Sequence, residues 1–348
     1  MPGRLEGDLE EVLALTEGLW PRLRGARILV TGGTGFMGCW LLESLLHANS
    51  RFDLNLSVVV LSRDPGAFAR KAPHLAQSPA LRVIQGDVIR FPEVEGEFTH
   101  LVHAATDASA RLLEEDPRRM FDTILAGTRG ALEFAERKGV QRALFLSSGA
   151  VYGRQPPGLE RVPEEWTGAP ECADPRAAYA EGKRAAETLC AITAARHGVP
   201  VSIARCFAFV GPYLPLDIHF AIGNFIRDAM AGGPIQVRGD GTPYRSYLYA
   251  SDLAAWLWHL LLRGEPGVAY NVGSEDAVSI AELAEIVGRT LGGVPFQVHG
   301  RPEPGRPPER YVPSTERIRS RLGLVSTVSL EEGIRRTARY HEAISSRS

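Results

Sequence analysis

The 348 residues carry 39 lysines and arginines against 41 acids, a net charge of −2. That near balance gives no electrostatic footing for nucleic acid or an anionic membrane surface. At this length one large domain or two interlocked ones are expected, and no run of residues is apolar for long enough to span a bilayer.

The first twenty residues, "MPGRLEGDLEEVLALTEGLW", place acids where a secretory signal needs a basic start and an unbroken apolar core. Leu9, Val12, Leu13, Thr16 and Trp20 repeat at helical spacing, which predicts a short amphipathic extension over 1–25 laid against the body of the protein. The four cysteines, Cys39, Cys172, Cys190 and Cys206, are scattered without a CxxC. They predict packing roles and a reducing, cytoplasmic setting.

From residue 26 strand and helix alternate. "ARILVTG" reads as a strand followed by a helix through about Leu46. Further apolar runs follow at 57–63, 81–87, 100–105, 142–148 and 201–206, and a helix over 117–138 ends at Gly139, a C-cap signal. Near-continuous apolar strands between helices predict a parallel sheet covered on both faces, a doubly wound α/β domain over 26–206. Beyond 206 proline and glycine become frequent and helices are predicted near 220–231, 252–263, 279–291 and 329–343. This part reads as a smaller mixed lobe over 207–348, with 245–275 expected to return to the first domain.

"ILVTGGTGFMG" sets Gly32, Gly35 and Gly38 at the first strand–helix junction. The first permits a tight turn, the second lets a pyrophosphate approach the backbone at a helix N-terminus, and the third lets helix and strand pack closely. The second strand ends "VVVLSRDP". Ser62 stands where a fold wanting NAD usually has an acid for the ribose hydroxyls, and Arg63 follows; a hydroxyl and a guanidinium suit a 2′-phosphate, favouring NADP(H). Asp64, further along, keeps NAD(H) open. Asp87, in "QGDV", is either an adenine contact or a turn residue. His100 and His103 sit i,i+3 on a strand and so point to opposite faces, which speaks against a shared metal ion.

"RALFLSSGAVYG" brings Ser148 to the tip of the fifth strand, and "YAEGKRAAE" sets Tyr179 and Lys183 one helical turn apart. An ammonium near the phenol is expected to lower its pKa toward the working range, so that Tyr179 exchanges a proton with an alcohol while Ser148 holds the same oxygen.

With these motifs the chain resembles the extended short-chain dehydrogenases/reductases that modify nucleotide sugars. The resemblance covers about 25–340 and is carried by "TGGTGFMG", "GDV", "HAA", "SSGAVYG", "YAEGK", "VGP", "GDGTPYRSYLYASDLA" and "YNVGS". It implies a Rossmann-type domain, a smaller substrate-binding lobe, and Ser148, Tyr179 and Lys183 as catalytic residues. The implied cofactor shell is Gly32, Gly35, Phe36, Met37, Gly38, Ser62, Arg63, Asp87, Val88, Ala104 and Ala105, with Tyr179 and Lys183. Arg245 and Arg306 are implied on a nucleoside diphosphate sugar, with Asn224 and Ser148 as further substrate contacts. Arg245 has a second reading as a partner of Asp252. The family also suggests a homodimer through helices 117–138 and 179–197.

The chain departs from the family pattern at Ala208 and Ile124, where asparagines are usual. It also has Gly149 and Ala150 where 4,6-dehydratases carry Asp and Glu and UDP-glucuronate decarboxylases keep the glutamate. Without an acid there, elimination is disfavoured. A 4-ketoreductase using NADPH is the leading expectation; a 4-epimerase with tightly held NAD is the alternative, and dehydratase or decarboxylase chemistry ranks lower. A reductase of small aldehydes or steroids would have little use for "GDGTPYRSYLY", and a non-catalytic NADP-binding protein would be expected to lose Tyr179 or Lys183.

Overall fold

A computed structural model describes residues 5–106, 110–218 and 220–345. The first part of the chain runs α1 (Glu6–Leu15), β1 (Arg27–Thr31), α2 (Phe36–Phe52), β2 (Ser57–Ser62), α3 (Pro65–Lys71), α4 (Pro73–Ala76), β3 (Leu81–Gln85), β4 (His100–His103), α5 (Ala110–Glu115), α6 (Pro117–Arg137), β5 (Arg142–Ser148), α7 (Ala178–Arg196) and β6 (Val201–Cys206). Next come β7 (Phe209–Val210), α8 (Ala221–Met230), β8 (Ile235–Val237), β9 (Tyr244–Arg245), β10 (Leu248–Tyr249), α9 (Ala250–Arg263) and β11 (Ala269–Val272). The chain ends through β12 (Val278–Ser279), α10 (Ile280–Thr290), β13 (Phe296–Val298), β14 (Arg310–Tyr311), α11 (Glu316–Leu322) and α12 (Leu330–Ser345).

Two compact units result. One takes the described residues of Met1–Gly153 with Ala169–Cys206 and Ala254–Tyr270; the other takes Arg154–Gly168, Phe207–Leu253 and the described part of Asn271–Ser348. Within the stretch 245–275, residues 254–270 cluster with the first unit, and 245–253 and 271–275 with the second.

The first unit is built on a sheet of order β11-β6-β5-β4-β1-β2-β3. Its strands pair in parallel, as a doubly wound α/β fold requires. Alternate residues enter opposite layers. Leu29, Val59, Leu101, Ala143, Phe145 and Ile203 share one core with Ile124 and Phe134 of α6 and Ala186 and Cys190 of α7. Helices α6 and α7 approach closely because Gly182 has no side chain: a Cβ there would lie 3.1 Å from Ile124 Cδ1. Ile124 thus fills with hydrocarbon the place where the family pattern has asparagine.

The N-terminal extension is firmly docked. Leu9, Val12, Leu13, Thr16 and Trp20 are all buried, as their spacing predicts. Trp20 lies 5.6 Å from Trp258 of α9, the Trp258 indole N–H donates to Ser44 Oγ of α2 at 2.8 Å, and His259 Nε2 meets the Leu15 carbonyl at 2.9 Å. Among the cysteines, Cys39, Cys190 and Cys206 are buried packing residues, but Cys172 is exposed; the packing role expected of it fails because it falls in a turn outside the sheet and its covering helices. All four are free thiols.

The second unit contains a three-stranded sheet of order β12-β9-β14, with β9 antiparallel to β12 and parallel to β14. A capping box at Ser279 and Glu282 starts α10. Asp252 accepts hydrogen bonds from the Thr327 N–H at 2.9 Å, the Thr327 hydroxyl at 2.6 Å and the Val328 N–H at 3.2 Å. Among the described residues no helix is long and apolar enough to cross a membrane.

Candidate active site

The glycine loop follows β1 directly. Gly32 has φ +72°, and a Cβ on it would strike the Ala104 and Ala105 backbone at 2.5 Å. A Cβ on Gly38 would lie 2.3 Å from the Gly32 carbonyl. Gly35 differs: it is exposed, and its Cβ would come no nearer than 3.4 Å to any protein atom outside its neighbours. Nothing in the protein demands glycine there, so the requirement falls on whatever approaches the loop. Gly35 is the N-cap of α2, no side chain caps the helix, and no acid lies in its first turn. The N–H groups of Phe36 and Met37 stand in that turn, open to a phosphate. These features fit a dinucleotide pyrophosphate.

The end of β4 completes this edge. Ala104 N–H donates to the Thr31 carbonyl at 3.1 Å and Ala105 N–H to Thr31 Oγ1 at 3.3 Å. The other side of Thr31 Oγ1 meets His103 Nδ1 at 2.7 Å, and His103 Nε2 meets Thr128 Oγ1 of α6 at 3.3 Å. Burial, with Lys183 nearby, pushes His103 down to about 3, so the ring is neutral. His100 bonds Thr99 Oγ1 at 2.9 Å instead. Among the described residues no group of three or more potential metal ligands occurs.

At the end of β2, Ser62 is buried and its Oγ accepts from the Asp64 N–H at 3.2 Å. Arg63 is exposed. Asp64 caps α3, accepting from the Ala67 N–H at 2.8 Å. From the far end of α3, Lys71 Nζ donates to the Thr34 carbonyl in the glycine loop at 2.9 Å, a cation that sequence spacing did not reveal. Asp87 holds a turn, its Oδ1 accepting from the Ile89 N–H at 3.0 Å, and Val88 packs on Gly127 of α6.

Ser148 closes β5 in a buried position, and its Oγ accepts from the Ala150 N–H at 3.1 Å. Tyr179 on α7 is hydrogen-bonded to Ser148. Burial raises the Tyr179 pKa and the Ser148 hydrogen bond draws it partly back. This reverses the expected lowering by Lys183. The reason is geometric: Lys183 shares the helix face, but its Nζ donates to the Leu146 carbonyl at 2.7 Å and lies 4.8 Å from the Phe145 ring. Desolvation brings Lys183 itself down to about 8.

In the second unit, Arg245 on β9 donates to its neighbour's carbonyl, Tyr244 O, at 2.8 Å and lies 5.9 Å from the Tyr311 ring. Beside it on β14, Arg310 stacks 4.2 Å over Tyr244. Arg306 is exposed in the preceding loop, 3.2 Å from Glu303 and 3.8 Å from Glu309. Asn224 on α8 accepts from Arg227 Nη1 at 3.3 Å.

A dinucleotide cradle and a Ser–Tyr–Lys group on one parallel sheet define an enzyme of the extended short-chain dehydrogenase/reductase class. The chain belongs to the NAD dependent epimerase/dehydratase family, whose model matches residues 28–273. It is 31% identical over 314 residues to UDP-glucuronic acid decarboxylase 1 of Xenopus tropicalis, spanning 90% of this chain and 72% of that protein. Among solved structures it resembles DesIV of Streptomyces venezuelae, a dTDP-glucose 4,6-dehydratase with NAD bound, at 27% identity and TM-score 0.77, covering 91% of this chain and 97% of that one. It also resembles the UDP-glucose 4-epimerase of Thermus thermophilus in complex with NAD, at 28% identity and TM-score 0.74, covering 91% and 99%.

Proposed function

We propose that the protein works at a single carbinol carbon of a nucleoside diphosphate sugar, as a 4-ketoreductase that uses NADPH. The observation that carries this reading is the Ser148–Tyr179 pair at the tip of β5, followed by Gly149 and Ala150, which have no titratable group. Elimination needs an acid for the leaving hydroxyl and a base for the neighbouring carbon. That place holds neither, and it also lacks the glutamate expected of a decarboxylase.

Gly32, Gly35, Gly38 and the first turn of α2 hold the pyrophosphate, with Ala104 and Ala105 along the edge. Ser62 and Arg63 at the end of β2, with Lys71 of α3, take the adenosine ribose, and a hydroxyl with two cations favours a 2′-phosphate. When bound, the nicotinamide supplies hydride-transfer chemistry. Burial keeps Tyr179 protonated at neutral pH, so the phenol is ready to give its proton to the oxygen of a carbonyl being reduced. The Ala150 N–H fixes Ser148 Oγ, whose own hydrogen then holds the same oxygen. Arg245 takes the diphosphate, with Asn224 and the exposed Arg306 as outer contacts. The protein is further read as a homodimer through α6 and α7, checked by light scattering on the purified protein.

A second reading is a 4-epimerase that keeps NAD, favoured by the likeness to the Thermus enzyme. One experiment separates the two. The purified protein is denatured, any released nucleotide is identified, and fresh NAD(H) and NADP(H) are titrated. Protein that arrives empty and binds NADPH ahead of NADH supports the ketoreductase, to be followed by turnover on nucleotide 4-keto-6-deoxysugars. NAD that is retained and not displaced by NADPH overturns it.

A further inference from the structure

Three residues on one face of α7, spaced i, i+4 and i+8, meet three consecutive residues at the end of β5. Tyr179 bonds Ser148, Lys183 Nζ bonds the Leu146 carbonyl at 2.7 Å, and Glu187 Oε1 accepts from Ser147 Oγ at 2.6 Å. Behind them stands Arg205 of β6, the register partner of Ser147. Its Nε donates to both Glu187 oxygens at 3.1 and 3.2 Å, and its Nη2 donates to Oε2 at 2.8 Å. Its Nη1 donates to Tyr152 Oη at 2.8 Å, with Cζ 4.7 Å from the Tyr152 ring. Tyr152 closes the 3-10 turn that begins immediately after Ser148. One guanidinium therefore binds α7, β6 and the turn beyond Ser148 together. Both side chains are largely buried, at 17% and 12% exposure.

We propose that Glu187 and Arg205 are positioning residues: their ion pair fixes the register of α7 on the tip of β5, so that Tyr179 meets Ser148, and it keeps a carboxylate beside the Lys183 ammonium. This rests on the reading of Ser148, Tyr179 and Lys183 given above. Lys183 is faced by Glu187 and Cys190 from its own helix, by Cys206 from β6, by the Phe145 ring of β5 and by His103 of β4, and Arg205 of β6 is paired with Glu187. Tyr179 lies one turn before it on α7. Burial raises the Cys190 and Cys206 thiols well out of the neutral range and keeps His103 uncharged. Among these groups Glu187 is the one carrying negative charge at neutral pH. A carboxylate doubly bonded to a guanidinium is rigid as well as charged, so it sets both place and potential.

The sequence offers a direct readout, because the chain has three lysines in all, Lys71, Lys138 and Lys183. The full-length protein with carbon-13 at the lysine ε position gives three NMR signals, and Lys183→Arg identifies the one that matters. Glu187→Gln is expected to lower the Lys183 titration and to lower kcat by about ten- to a hundredfold, with cofactor Kd changed less than about threefold. Glu187→Asp is expected to restore the titration. An unchanged Lys183 titration in folded Glu187→Gln overturns the proposal. Should Glu187→Gln fail to fold, Tyr152→Phe removes one arm while both charges stay paired. It is expected to lower kcat by about three- to tenfold without moving the Lys183 titration, and full kcat in that variant overturns the clamp. The titration needs no substrate, so it decides this question whatever the sugar panel returns. Retained turnover in Tyr179→Phe would instead defeat the reading of the active site.

Discussion

The glycine loop after β1 and the tip of β5 are both ends of parallel strands, yet they are made in opposite ways. The loop is a main-chain object. Gly32 and Gly38 are fixed by clashes of 2.5 and 2.3 Å that any Cβ would make, and Gly35 is left clear. The tip of β5 is a side-chain object, held by side-chain contacts between residues 18 to 53 positions apart in sequence, from Glu187 on Arg205 to Arg205 on Tyr152. Steric requirements of the first kind are written in residue type and spacing. Contacts of the second kind depend on how a helix is laid on a strand. A change at the loop should therefore alter binding or folding, whereas a change at the tip should alter chemistry with binding spared.

Tyr179→Phe tests the second half of that contrast most severely. It is expected to lower kcat by about a thousandfold while NADPH affinity stays within about threefold, read by steady-state kinetics and fluorescence titration. An equal loss of affinity would erase the distinction. Gly38→Ala and Gly35→Ala divide the loop itself. The first forces a Cβ into the Gly32 carbonyl and is expected to cost about 2–4 kcal/mol of stability. The second is expected to leave stability within about 0.5 kcal/mol but weaken cofactor binding about tenfold. Denaturant melts with parallel titrations check both, and loss of stability in Gly35→Ala would show that the protein, not the ligand, requires that glycine.

Arg63→Ala should reduce NADPH affinity about tenfold and leave NADH affinity unchanged. Equal loss for both cofactors would remove the 2′-phosphate reading of β2.

The smallest effect concerns pH. His103 and His100 are held near 3 and 4, below their ordinary value of 6.5, chiefly by burial. Between pH 6.5 and those folded values the unfolded chain binds more protons, so stability falls as pH falls through that window. His103→Asn should flatten this slope by up to about 1.4 kcal/mol per pH unit, measured by urea melts at pH 4 to 7. An unchanged slope would show that burial does not hold the ring neutral.

Most of the first unit was legible in the sequence. Near-continuous apolar runs separated by helical stretches placed the strands, because burial on both faces admits little else. The amphipathic N-terminal helix and Gly139 at the end of α6 were legible on the same grounds. Tyr179 and Lys183 were legible as a pair, but not the direction of Lys183, which a carbonyl of β5 captures. Lys71 over the glycine loop and Glu187 and Arg205 behind Ser148 were not legible, because each acts on a residue brought near it only by tertiary packing.

By itself, then, the sequence determined the alternation of strand and helix, the glycine loop after β1 and the Tyr179–Lys183 spacing on one helix face, since periodicity, backbone sterics and short spacings are properties of neighbouring residues. The tertiary structure alone decided that Tyr179 is raised and not lowered, that Asp64 is engaged as a cap, and that one largely buried ion pair ties α7 to β6. Desolvation and long-range hydrogen bonding depend on what packs around a group, and that is settled only when distant segments meet.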